Sequence, residues 1–193
     1  MSFVTGTQCE LLYSLNAPVT KNTYTTEAAF SGVAGTNTVC SLPAGFYSGD
    51  NPNPVGRSLY LVASGTIANT AAATFAVNLG FDTTAGTKAN SVGIYSATAP
   101  TASVTSTWVL EAWYTCTAFA TSTFSLQVNG RWTQEAIASG GALGSGQLSA
   151  SFNGSITGMD PRVQAYIELF GTWSASSSSN TTTLQQLLLM GLN

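Results

Sequence analysis

Hydrophobic and polar residues alternate along most of this chain. Phe75, Val77, Leu79 and Phe81 are separated by Ala76, Asn78 and Gly80, and Phe124, Leu126, Val128 and Trp132 by Ser125, Gln127, Asn129 and Arg131. Successive side chains of a strand point to opposite faces, so each run predicts a strand with one face buried and one wet. Leu59, Leu61, Ala63 and Ile67 form a third such row, and Trp108, Leu110, Ala112, Tyr114 and Cys116 a fourth. Val163, Ala165, Ile167, Leu169 and Trp173 form a fifth, and Thr181 to Leu192 a last strand. No comparable stretch repeats at helical spacing, and the threonine-rich background favours strand. Trp132 and Phe124 are expected in the core.

Turn chemistry separates the rows. Ser48-Gly49-Asp50-Asn51-Pro52-Asn53-Pro54 excludes helix and central strand alike, because each X-Pro step restricts the preceding residue and removes a donor. Asp82 to Gly86, Ala99-Pro100, Ser139-Gly140-Gly141, Asn153-Gly154 and Asp160-Pro161 predict further reversals, and Ser174 to Asn180 a hairpin loop. About eight or nine strands with these connections predict an all-β antiparallel two-sheet sandwich, with the jelly roll or another Greek key as its topology. An immunoglobulin-like domain fits less well, since no usable Cys…Trp…Cys framework is present. Residues 1–30 are less regular: Leu11, Leu12, Tyr13 and Leu15 are interrupted by Ala17-Pro18. They read as an N-terminal arm on a neighbouring subunit or as an edge segment, with 31–193 as a single sandwich domain.

Two strands carry large apolar residues on both faces. Opposite the Val163 row stand Tyr166 and Phe170, and opposite the Trp108 row stand Val109 and Trp113. Such a strand is covered on both sides, either by its own chain or by another copy. Trp113, Tyr166 and Phe170 are therefore candidate interface residues, aromatic side chains being enriched in such contacts.

Composition narrows the function classes. Of 193 residues five are basic and eight acidic, and there is no histidine. The commonest general base and metal ligand is thus missing, and no basic stripe exists to neutralise phosphates, which argues against nucleic-acid binding. Glu111, Glu135 and Glu168 invite a glycosidase reading, but nothing in the spacing pairs any two of them. No activated serine, phosphate loop or calcium loop is recognisable, so no catalytic residue, cofactor or metal is expected. Trp113, Trp132 and Tyr166, flanked by Thr, Asn and Gln, could instead stack on sugars, although packing in the core or at an interface accounts better for each. Cys9, Cys40 and Cys116 match no metal or redox spacing and read as free thiols, which suits folding in a reducing cytoplasm. The N-terminus lacks the pattern of an export signal, and the longest apolar run, Leu187 to Met190, falls far short of the roughly 20 residues of a membrane helix.

Three segments carry a resemblance: Leu59 to Asp82 (LYLVASGTIANTAAATFAVNLGFD), Trp108 to Ala136 (WVLEAWYTCTAFATSTFSLQVNGRWTQEA) and Val163 to Asn193 (VQAYIELFGTWSASSSSNTTTLQQLLLMGLN). In order and motif they resemble small virion structural proteins of tailed bacteriophages, notably those infecting actinobacteria. The resemblance implies a sandwich of jelly-roll type that assembles on the virion. The expectation is a capsid decoration (cement) protein, made in the host cytoplasm, that sits on the head surface as a homotrimer. It would contact the major capsid protein, with no membrane or nucleic-acid partner. The alternative is a tail-associated receptor- or glycan-binding module, in which Trp113 or Tyr166 would be exposed.

Overall fold

A computed structural model describes residues 9–15, 17–22, 24–30, 39–47, 54–69, 73–98, 104–137 and 143–192. Among them there is no helix. Eight long strands carry the fold: β5 (Ser58–Asn69), β6 (Thr74–Asp82), β7 (Ser91–Thr98), β8 (Val104–Ala120), β9 (Thr123–Ile137), β10 (Leu143–Met159), β11 (Ala165–Trp173) and β12 (Thr181–Leu192). Four short strands precede them: β1 (Cys9–Ser14), β2 (Val19–Asn22), β3 (Ala28–Ala29) and β4 (Ser41–Leu42). The large sheet runs β1-β12-β5-β8-β9-β10, with β2 also on β12, and the small sheet runs β3-β11-β6-β7, with β4 also on β11. All pairings are antiparallel. The protein is an all-β two-sheet sandwich, and the nested pairs β5–β12 and β6–β11 are compatible with a jelly roll.

The alternating rows supply the two inner faces. Leu59, Leu61, Ala63 and Ile67 of β5 are buried, as are Trp108, Leu110, Ala112, Tyr114 and Cys116 of β8 and Phe124, Leu126, Val128 and Trp132 of β9. Phe75, Val77, Leu79 and Phe81 of β6 meet them from the small sheet, with Ile167, Leu169 and Trp173 of β11. The indoles of Trp108 and Trp132 stack at 4.6 Å and 13°, and Phe30 meets Trp108 edge-on at 6.2 Å. All three cysteines are free; Cys40 and Cys116 are buried and Cys9 is exposed.

Several local expectations differ from the structure. Val163 lies outside β11 and is exposed, since the turn after Asp160 extends past it. Asn153-Gly154 is no reversal but the middle of β10. A Cβ on Gly154 would stand 2.7 Å from the side chain of Val92 on β7, so the glycine there serves close approach of the two sheets, not a turn. The Ser174–Asn180 loop is not a hairpin, because β11 and β12 belong to different sheets. It arches across the end of the sandwich, closed by Asn180, whose buried amide donates to the Ala175 carbonyl at 2.8 Å. The described part of the N-terminal segment pairs within its own chain: β1 and β2 lie against β12, and β3 lies against β11. These residues are edge strands of their own sandwich.

Candidate functional site

The outer face of the large sheet holds an open groove bordered by an exposed aromatic residue. Antiparallel register places Leu11, Met190, Tyr60, Trp113, Asn129 and Asn153 side by side across β1, β12, β5, β8, β9 and β10. A second row, Leu188, Val62, Glu111, Arg131 and Ser151, runs next to it. On β12 and β5 both rows are apolar, and on β1 Leu11 stands beside the exposed Ser14; toward β10 both rows are polar. The change falls at Trp113.

Trp113 is 40% exposed and stacks on the Tyr60 ring at 4.8 Å and 28°. The Tyr60 hydroxyl donates to Glu111 Oε1 at 2.8 Å, and Arg131 reaches Glu111 Oε2 at 3.2 Å. Desolvation, then the Glu111 carboxylate, raises the Tyr60 phenol above its ordinary value, which keeps its proton in place as that donor. The chain Tyr60–Glu111–Arg131 fixes the carboxylate through both oxygens. Trp113, Glu111 and Arg131, with Asn129, Ser151 and Asn153, line an open groove of about 650 Å³ over β8, β9 and β10. Beneath it Gly130 is required, since a Cβ there would stand 2.3 Å from the Phe152 ring.

The second apolar face of β11 is covered by the chain itself. Phe170 is 3% exposed and lies across Gly80 of β6, where a Cβ would come within 2.6 Å of its ring. Phe170 therefore offers no surface to a neighbouring copy, which corrects its placement with Trp113 and Tyr166 as an interface residue. The Asp82–Asn90 loop folds back over the same face. Asp82 accepts from Thr83 N at 2.7 Å and from Ala89 N at 2.9 Å, and so ties both ends of the loop. Gly86, at φ +78°, donates its N–H to Glu168 Oε2 at 2.6 Å, and Lys88 pairs with Glu27. Glu168 is 2% exposed; burial and the neighbouring Asp82 push its carboxyl up, against the Gly86 hydrogen bond. Tyr166 is half-buried on this face, beside Ser41 and Asp82 in register.

The three glutamates do not converge. Glu111 and Glu135 share the outer face of the large sheet, but register separates them by four residues, about 13 Å along the strands. Glycoside hydrolysis needs carboxyl groups roughly 5–10 Å apart. Glu168 lies on the far side of the sandwich. Of the three residues considered for sugar stacking, Trp132 is in the core, Tyr166 is half-buried and Trp113 is exposed within a polar groove. The outward positions of Asn129, Arg131 and Asn153 follow from alternation, but their alignment with Trp113 depends on inter-strand register, which no single strand encodes. A comparison with protein-family models finds no match, and a comparison with curated proteins finds none either.

Proposed function

We propose that the protein is a structural component of a tailed-bacteriophage virion, a capsid decoration protein that assembles as a trimer on the head and reinforces contacts with the major capsid protein. The observation that carries this reading is the apolar half of the outer face of the large sheet. Leu11, at 60% exposure, stands in register with Met190 and Tyr60, and Leu188 and Val62 adjoin them. Contiguous apolar surface of this kind marks contact with another protein. The sparse charge supports it, because little electrostatic repulsion keeps such faces apart. The resemblance of the β5–β6, β8–β9 and β11–β12 segments to virion proteins supplies the biological setting.

Sedimentation of the recombinant chain tests the assembly. A trimer is expected, converting to a folded monomer on Leu11→Asp or Met190→Glu; a wild-type monomer at micromolar concentration argues against the reading. Quantifying the protein in purified virions tests the location. Tens to hundreds of copies per particle are expected of a decoration protein, whereas a small multiple of three or six would move it to the tail. A second reading, a glycan- or receptor-binding module, is favoured by the exposure of Trp113 above a groove of amides and hydroxyls.

A further inference from the structure

We infer that the groove over β8, β9 and β10 is a binding site for an uncharged, hydroxyl-rich glycan chain, with Trp113 as its stacking platform. The inference deepens the glycan-binding reading and is independent of whether the copies sit on head or tail.

Four features of the groove point to this ligand class. Trp113 presents a partly exposed indole held from behind by Tyr60, so the platform is rigid before any ligand arrives. Aromatic faces of this kind receive the apolar C–H face of a sugar ring, while the amide and hydroxyl rim bonds its edges. Asn129 and Asn153 lie in register with the indole and line the groove with Ser151. Each amide both donates and accepts, which matches a sugar hydroxyl that also does both. The charged groups of the groove, Glu111 and Arg131, are paired with each other, so the site offers no net charge to attract an ionic ligand. One arginine already engaged by a carboxylate is a poor start for phosphate or nucleic-acid binding. The volume lies within the range of small-molecule sites. From β8 to β10 the groove crosses two inter-strand spacings, about 10 Å, and its openness along the sheet suits an internal stretch of a chain. A second copy of this protein would bring apolar side chains to the surface, and the apolar half of the face toward β1 suits that partner better than the polar half does.

The test uses the protein's own fluorescence. Trp108, Trp132 and Trp173 are 0–1% exposed, so a ligand-induced change in emission reports Trp113. The full chain is titrated with cellohexaose, chitohexaose, laminarihexaose and maltohexaose, with polygalacturonate as the charged control. Saturable quenching or a blue shift is expected with at least one neutral hexaose and not with polygalacturonate. By calorimetry, Trp113→Ala is expected to weaken that binding by about tenfold or more, and Asn153→Ala by severalfold, both with an unchanged circular dichroism spectrum. If no neutral hexaose produces a saturable change, the inference and the glycan-binding reading fall together. If a hexaose binds and Trp113→Ala leaves its affinity intact, the groove is wrong but the glycan-binding reading stands. If Asn153→Ala, which lies outside the apolar half of the face, dissociates the assembled chain in sedimentation, the groove is an interface between copies and the inference fails.

Discussion

Removing the Trp132 indole should be among the most damaging single changes to this protein. Trp132 is fully buried on β9, stacked on Trp108 at 4.6 Å, and Trp108 is in turn fixed edge-on by Phe30. An aromatic side chain of this kind removes roughly 200 Å² from water, worth about 5 kcal/mol at ~25 cal/mol per Å². Partial collapse of the cavity returns some of that, and measured Trp→Ala changes in cores cost about 3–5 kcal/mol. Against a total stability of about 5–15 kcal/mol this is about a fifth or more of the margin. For a chain of this size it lowers the melting temperature by about 10 °C. Urea unfolding followed by circular dichroism measures it: the midpoint should fall for Trp132→Ala with the slope unchanged. Trp113→Ala is the internal control, because that indole is 40% exposed and its stack on Tyr60 contributes only about 1 kcal/mol. Equal losses for the two variants would refute the assignment of inner and outer faces on the large sheet.

Two further outcomes follow from the opposite face and from the sheet contact. Glu168 has a carboxyl pushed up by burial, so the folded state holds its proton more tightly than the unfolded state does, and stability should fall as pH rises above the carboxyl's ordinary value of 4.5. Glu168→Gln should flatten that decline, and a decline of the same size in the variant, by thermal melts between pH 4 and 7, would assign it elsewhere. Gly154→Ala should destabilise by about 1–3 kcal/mol, since the new methyl meets Val92 at 2.7 Å. Val92→Ala in the same chain should restore part of the loss, and strict additivity of the two changes would show that they do not touch.

The inner faces were legible in the sequence because burial on one side forces alternation. All of the Leu59, Phe75, Trp108 and Phe124 rows are buried where their spacing predicts. β10 was hidden because a 17-residue strand at the sheet edge is built from Ser, Gly and Asn, residues that read locally as turns. Only the approach of Val92 explains Gly154. Phe170 shows a second limit: alternation identified two apolar faces on β11, but their coverage depends on Gly80 and on elements distant in sequence. The groove was half legible. Trp113 stood out by type and face, whereas Asn129, Arg131 and Asn153 gain their meaning only from the register that sets them beside it.

The position of β12 bears on how the chain reaches its fold. β8, β9 and β10 form a meander of neighbours in sequence and can associate as soon as they exist. β5 is different: its second partner is β12, with Ser58 opposite Leu192, so one of its edges waits for a strand from the far end of the chain. Closing so long a loop costs entropy before any contact is gained, and sandwiches dominated by distant pairings fold on the millisecond-to-second scale. Until β12 arrives, β5 presents an unpaired edge beside the uncovered side chains of Leu59 and Leu61, which is an invitation to pair with another chain. A nascent or refolding population is therefore most prone to aggregate in that interval, and conditions that slow association between chains during it, such as low protein concentration, should raise the yield of native protein.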